Sequence, residues 1–116
     1  MVSAETQIAQ IARYHAWATE RLLKSVAPIP DASYRKSCGL FFGSIHGTLN
    51  HLLLTDSEIW YPMTTGQARV LPMSGALLHV FNHATHHRGQ VTAAMSMLGF
   101  ECQPLDLPYL IFSELA

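Results

Sequence analysis

The sequence predicts an all-α protein, an antiparallel bundle of helices, on three observations. Two long segments repeat apolar residues at spacings of three and four, the period of one helix face. Both end at residues that stop helices, Pro28 with Pro30 in the first and Gly99 in the second. No stretch alternates apolar and polar residues as a half-buried strand does.

The first helix has Ser3 as its cap and Glu5 in its first turn, where the helix dipole favours negative charge. Its apolar stripe is Ile8, Ile11, His15, Ala18, Leu22 and Val26. Residues 31–43 read as a connector, a short helical turn or an extended piece. Asp31, Ser33, Gly39 and Gly43 are turn residues there, and Leu40-Phe41-Phe42 is an apolar run expected to be buried. Ser44 can cap a second helix running to about Pro62, with Leu49, Leu52, Leu53, Ile59 and Trp60 on it. Thr64 to Gln67 then form a loop.

Pro72 and Ser74 precede a third helix, whose stripe is Val80, His83, His87, Val91, Ala94 and Leu98. Gly99 suits the left-handed position just past its end, with Phe100 as the apolar residue that follows. The tail from Gln103 holds two prolines and the run Leu107 to Phe112. It is expected to lie extended or in short turns along the bundle.

A chain of 116 residues is sized for a single domain, residues 1–116. Charged residues make up only 13% of it, against about 25% in an average domain. So little charge leaves apolar surface to be covered by another subunit. The formal net charge is −1 and the densest basic spot is Arg35-Lys36, so no basic stripe exists for nucleic acid. Cys38 and Cys102 form no C-x-x-C and read as free thiols in a reducing cytoplasm. The first residues lack the basic and apolar regions of a signal peptide, and no apolar run is long enough to span a bilayer.

Seven histidines are the compositional anomaly, four of them between His79 and His87. His83 and His87, four apart, share a face of the third helix and can reach one ion. That face is otherwise apolar, so two imidazoles on it need hydrogen-bond partners or a metal. The pair lacks the glutamate of the zincin motif, since Ala84 follows His83.

His51, midway along the second helix, supplies a third donor, and Gly47 one turn earlier lets another backbone approach closely. Three protein ligands leave a coordination position open, the pattern of catalytic sites. Neutral imidazoles suit Zn²⁺ and Ni²⁺, and also Fe²⁺. Glu58, two turns after His51, offers a fourth ligand, a general base or an acceptor for an imidazole N–H, against the plain alternative of a surface carboxylate.

His15, His46, His79 and His86 read first as packing or surface groups. Gln90 falls near the ligand face. Arg88 can bind a substrate carboxylate or a neighbouring acid. Trp17, Trp60 and the phenylalanines read as core.

Three segments carry a family resemblance: Ala12-Arg13-Tyr14-His15-Ala16-Trp17, Gly43-Ser44-Ile45-His46-Gly47-Thr48-Leu49-Asn50-His51-Leu52-Leu53, and His79-Val80-Phe81-Asn82-His83-Ala84-Thr85-His86-His87-Arg88-Gly89-Gln90. Together with Leu105-Asp106-Leu107 they resemble the DinB/YfiT-like family of metalloenzymes. The resemblance implies a four-helix bundle and a nickel or zinc ion on three histidines, which by motif are His51, His83 and His87. It further implies, for some members, thiol-dependent transfer with a low-molecular-weight thiol, and no DNA contact.

Two departures stand out. His15 occupies a place where the family more often has Asn. Only Thr64 to Gly75 bridges the second and third helices, so the bundle is expected to be short by about one helix. A second copy, as a homodimer, or a segment absent from this sequence would have to fill the groove. Two functions follow as expectations: a metal-dependent transferase or hydrolase acting on a small electrophile, or a non-catalytic metal-binding or dimeric scaffold.

Overall fold

The computed structural model describes residues 2–57 and 73–116. Five helices follow one another along these residues: α1 (Ala4–Val26), α2 (Asp31–Arg35), α3 (Ile45–Ser57), α4 (Met73–Met97) and α5 (Leu107–Leu115). No strand occurs among the described residues, where Leu40 and Gly43 form an isolated bridge. The protein is an all-α bundle.

The helix ends are set by local chemistry. The Ser3 hydroxyl accepts the Thr6 N–H at 3.1 Å, a cap contributing about 1 kcal/mol. α1 stops ahead of Pro28, with the Ala27 N–H still reaching the Leu23 carbonyl at 2.9 Å. Ser44 caps α3 by accepting the Gly47 N–H at 3.0 Å. α4 ends in a Schellman turn: Gly99 has φ +86°, the Phe100 N–H bonds the Met95 carbonyl at 2.8 Å, and the Gly99 N–H bonds that of Ser96 at 3.1 Å.

The core joins Leu22 and Val26 of α1, Ile45, Leu49 and Leu52 of α3, and Val91, Ala94 and Met95 of α4. Leu22, Leu52 and Met95 are wholly buried, and cutting any of them to alanine would cost about 2–5 kcal/mol. α4 is the central element, packing on α3 along one side and on α1 along another. α2 packs on α3 and α5 packs on α1, so the main contacts run in the spatial order α2, α3, α4, α1, α5.

Two expectations need correction. The tail does not end extended or in short turns, because Leu107–Leu115 is helical. Asp106 stands at its N-cap position and Pro108 in its first turn. Leu110 is buried, α5 packs on α1, and Arg13 pairs with Glu114 at 3.0 Å. Nine residues are too few to hold a helix alone, so packing on α1 decides the conformation.

The run Leu40-Phe41-Phe42 is not buried as a unit. The chain turns at Leu40–Gly43, with the Gly43 N–H on the Leu40 carbonyl at 2.8 Å. This turn directs Phe42 toward the helices and leaves Phe41 85% exposed. The segment between α3 and α4, including the expected end of the second helix, Ile59, Trp60 and the Thr64–Gln67 loop, lies outside the described residues.

Candidate metal centre

α4 places His83 and His87 one turn apart on the side that packs on α3, and α3 brings His51 to meet them. The Nε2 atoms of His83 and His87 lie 2.9 Å apart, and those of His51 and His83 lie 3.3 Å apart. One donor nitrogen from each of the three residues falls within 4.8 Å of the others. Separations near 3 Å are those kept by two nitrogens bound to one ion at about 2.0–2.1 Å. The donor set therefore fits a divalent cation that accepts imidazole.

The proton arrangement favours the same chemistry. His87 Nδ1 lies 2.7 Å from Gln90 Oε1. An amide oxygen only accepts, so Nδ1 carries the proton and the Nε2 lone pair is left facing His83. Burial holds the His83 imidazole well below its usual value, at about 4, with the nearby rings of His87, His51, His79 and His86 adding to the effect. His51 is lowered by burial and then by His87. His87 is lowered by burial and by His86, against the Gln90 bond, which raises it. Three imidazoles crowded together and kept neutral are three available lone pairs.

An aromatic wall covers one side of the cluster. The Phe42 ring stacks on the His51 ring at 4.0 Å between centroids and 19° between planes. It also presents an edge to His87 at 5.6 Å. Gly47 makes this possible: a Cβ there would collide with the Phe42 carbonyl oxygen, so only glycine lets the 40–43 turn seat on the first turn of α3. The close backbone approach at Gly47 was legible in the sequence, but its partner was not. An aromatic in a turn has no periodicity, and the run Leu40-Phe41-Phe42 does not by itself single out which ring turns inward.

The other histidines stay outside the triangle. His79 is exposed, with its ring 5.6 Å from that of His83, and the exposed His86 ring lies 5.0 Å from that of His87. His46 packs edge-on against Tyr34 at 5.1 Å, with its Nε2 3.2 Å from the Asn50 amide nitrogen. His15 lies against Phe81 and accepts at Nδ1 from Arg88 Nη1 at 2.8 Å.

Arg88 differs most from expectation. It is 2% exposed and faces α1, donating to Thr19 at 3.3 Å and to Thr85 at 3.2 Å besides His15. Its guanidinium also lies 5.3 Å from the centre of the Tyr14 ring. It thus ties α4 to α1, a role the sequence did not reveal. Glu58 lies outside the described residues.

Fold and cluster together define a helical protein whose central helices bring three imidazoles to one point, an arrangement compatible with metal binding. The chain belongs to the DinB family, whose model matches residues 1–72 and 56–114 in two overlapping regions. Neither the comparison with curated proteins nor that with solved structures returns a match.

Proposed function

We propose that His51, His83 and His87 hold one divalent ion, nickel or zinc, and that the protein is a metal-dependent enzyme. Its reaction would be transfer of a low-molecular-weight thiol to a small electrophile, or hydrolysis of one. The observation that carries this reading is the convergence of three neutral ring nitrogens at spacings of 2.9 and 3.3 Å. Three protein ligands leave room for an exogenous one. When bound, the ion supplies Lewis acidity at that open position, favouring the deprotonated form of a thiol or water there.

The chain's own residues have distinct parts in this scheme. His51, His83 and His87 donate lone pairs, and Gln90 keeps the His87 proton on Nδ1. Glu58 is the proposed base that takes the proton of the attacking thiol or water. In the transfer, the sulfur–carbon bond forms as the leaving group departs with its electron pair.

The test is an assay of thiol conjugation and of ester hydrolysis, run on metal-loaded and chelated protein with several thiols. Activity that requires the ion and is lost in His51→Ala supports the enzyme. A protein that binds metal and turns over no substrate in the panel is the metal-binding scaffold.

A homodimer belongs to the same proposal. Leu53 and Leu78, on the two helices that carry the triad, are exposed, as are Phe112 and Leu115 of α5. Sedimentation that gives a monomer at micromolar concentration would exclude it. The two free, half-buried thiols favour a reducing, cytoplasmic setting. None of the described helices is long and apolar enough to cross a membrane.

A further inference from the structure

We infer that Phe42 is a positioning residue of the metal centre, holding the His51 ring in its ligating orientation and walling off one side of the three-nitrogen cluster. The inference rests on the metal reading above and adds a residue to it that supplies no lone pair.

Three observations carry it. First, the rings of Phe42 and His51 are nearly parallel at 4.0 Å, while the edge-on contact with His87 at 5.6 Å puts the same phenyl group against two of the three rings. A side chain stacked in this way restricts rotation of the imidazole about its own χ2, the torsion that aims Nε2.

Second, the phenyl group is carried by a short, braced segment. The turn is closed by the Gly43 N–H on the Leu40 carbonyl at 2.8 Å, and the Cys38 N–H bonds the Gly43 carbonyl at 2.9 Å. Gly39 and Gly43 take φ of +79° and +86°, values that a residue with a Cβ adopts only under strain. Third, the Phe42 carbonyl oxygen rests on α3 where Gly47 has no Cβ. Gly47 lies one turn before His51, so the turn is indexed to the helix that bears the ligand. A ligand ring is thereby positioned from a neighbouring backbone rather than by a flexible side chain.

The neighbouring residue makes the contrast. Phe41 occupies the same turn, touches Phe42 edge-on at 4.9 Å and is exposed. Hydrophobicity of the turn alone would not distinguish the two positions; contact with the triad does.

The experiment compares wild type with Phe42→Ala, Phe42→Tyr, Phe41→Ala and Gly47→Ala. Zn²⁺ affinity is measured by competition with a chromophoric chelator, Co²⁺ absorption reports the coordination geometry, and His51 ring proton shifts are recorded by NMR on metal-free protein. Phe42→Ala should weaken Zn²⁺ about 10-fold or more, the scale of groups that orient ligands from outside the coordination sphere. It should also alter the Co²⁺ spectrum and remove the ring-current shift at His51. Phe42→Tyr should restore all three, and Phe41→Ala should leave all three as in wild type.

Gly47→Ala should reproduce the Phe42→Ala loss, and the double variant should be no worse than either single one, because both break one contact. Metal-free thermal melts of each variant separate this effect from misfolding. Phe42→Ala protein that melts as a folded domain and binds Zn²⁺ with wild-type affinity overturns the inference. A wild type that binds no ion overturns the metal reading itself. In that case an unchanged His51 shift in Phe42→Ala also removes the positioning contact, whereas a lost shift upholds the Phe42–His51 ring contact alone.

Discussion

Gln90 Oε1 accepts the Nδ1 proton of His87 at 2.7 Å, and this one bond decides which nitrogen of a buried imidazole faces the neighbouring histidines. Gln90→Leu removes the acceptor at similar size. Zn²⁺ affinity should fall about 10- to 100-fold, the range for loss of a ligand's outer hydrogen-bond partner. Gln90→Glu keeps an acceptor and should retain affinity. Chelator competition at fixed pH reads both.

The depressed imidazoles give metal-free protein a defined pH response. His83 titrates at about 4 in the folded chain, against about 6.5 unfolded. Between these values the unfolded state binds more protons, so stability rises with pH. It is therefore complete above about 6.5, declines as the solution is acidified toward 4 and levels off below. His51 and His87, also lowered, act in the same direction. Urea midpoints of chelator-treated protein across this range should follow that curve, and His83→Gln should make it shallower, leaving the part due to His51 and His87.

Arg88 joins α4 to α1 through His15 and Thr19 and bonds Thr85 within its own helix, from a position almost closed to solvent. Arg88→Ala removes these bonds, made by a buried guanidinium to half-buried His15 and Thr19 and to exposed Thr85, and empties the space that the side chain fills between α4 and α1. The cost should be about 2–4 kcal/mol, on the scale of charged hydrogen bonds lost from an interior. Equilibrium denaturation measures it. Metal stoichiometry should be unchanged, because Arg88 faces α1 while His83 and His87 face α3.

Gly99 isolates backbone strain from packing. Its φ is +86°, and a Cβ there would meet nothing within 4 Å. Gly99→Ala should therefore destabilise by about 1–2 kcal/mol through the left-handed conformation alone. A denaturation midpoint shift of that size, with metal affinity unchanged, is the expected result.

How far the sequence could be read follows from the range of each interaction. Helix faces and ends are local. The stripe of α1, the Ser3 and Ser44 caps and the Gly99–Phe100 terminus depend on residues within a few positions of one another. His83 and His87 were legible for the same reason, since four residues is one turn and their neighbours are apolar. His51 joined them through its place mid-helix and the family motif around it, and the structure brings its ring to the other two.

What escaped depends on contacts between distant segments. α5 has a local start signal in Asp106 and Pro108, but nine residues hold as a helix only through packing on α1, which no local pattern announces. Arg88 sits next to a predicted ligand but points about 100° away around the helix, toward α1. Phe42 reaches His51 across a turn whose geometry only the folded chain defines.

Binding of one divalent ion by His51, His83 and His87 together is measured through the metal content of purified protein, by elemental analysis alongside a titration of the chelated chain with Zn²⁺ and Ni²⁺. One equivalent per chain is expected, lost when any one of the three histidines becomes alanine and kept in His46→Ala. Full stoichiometric binding after removal of any one of the three rings would contradict it.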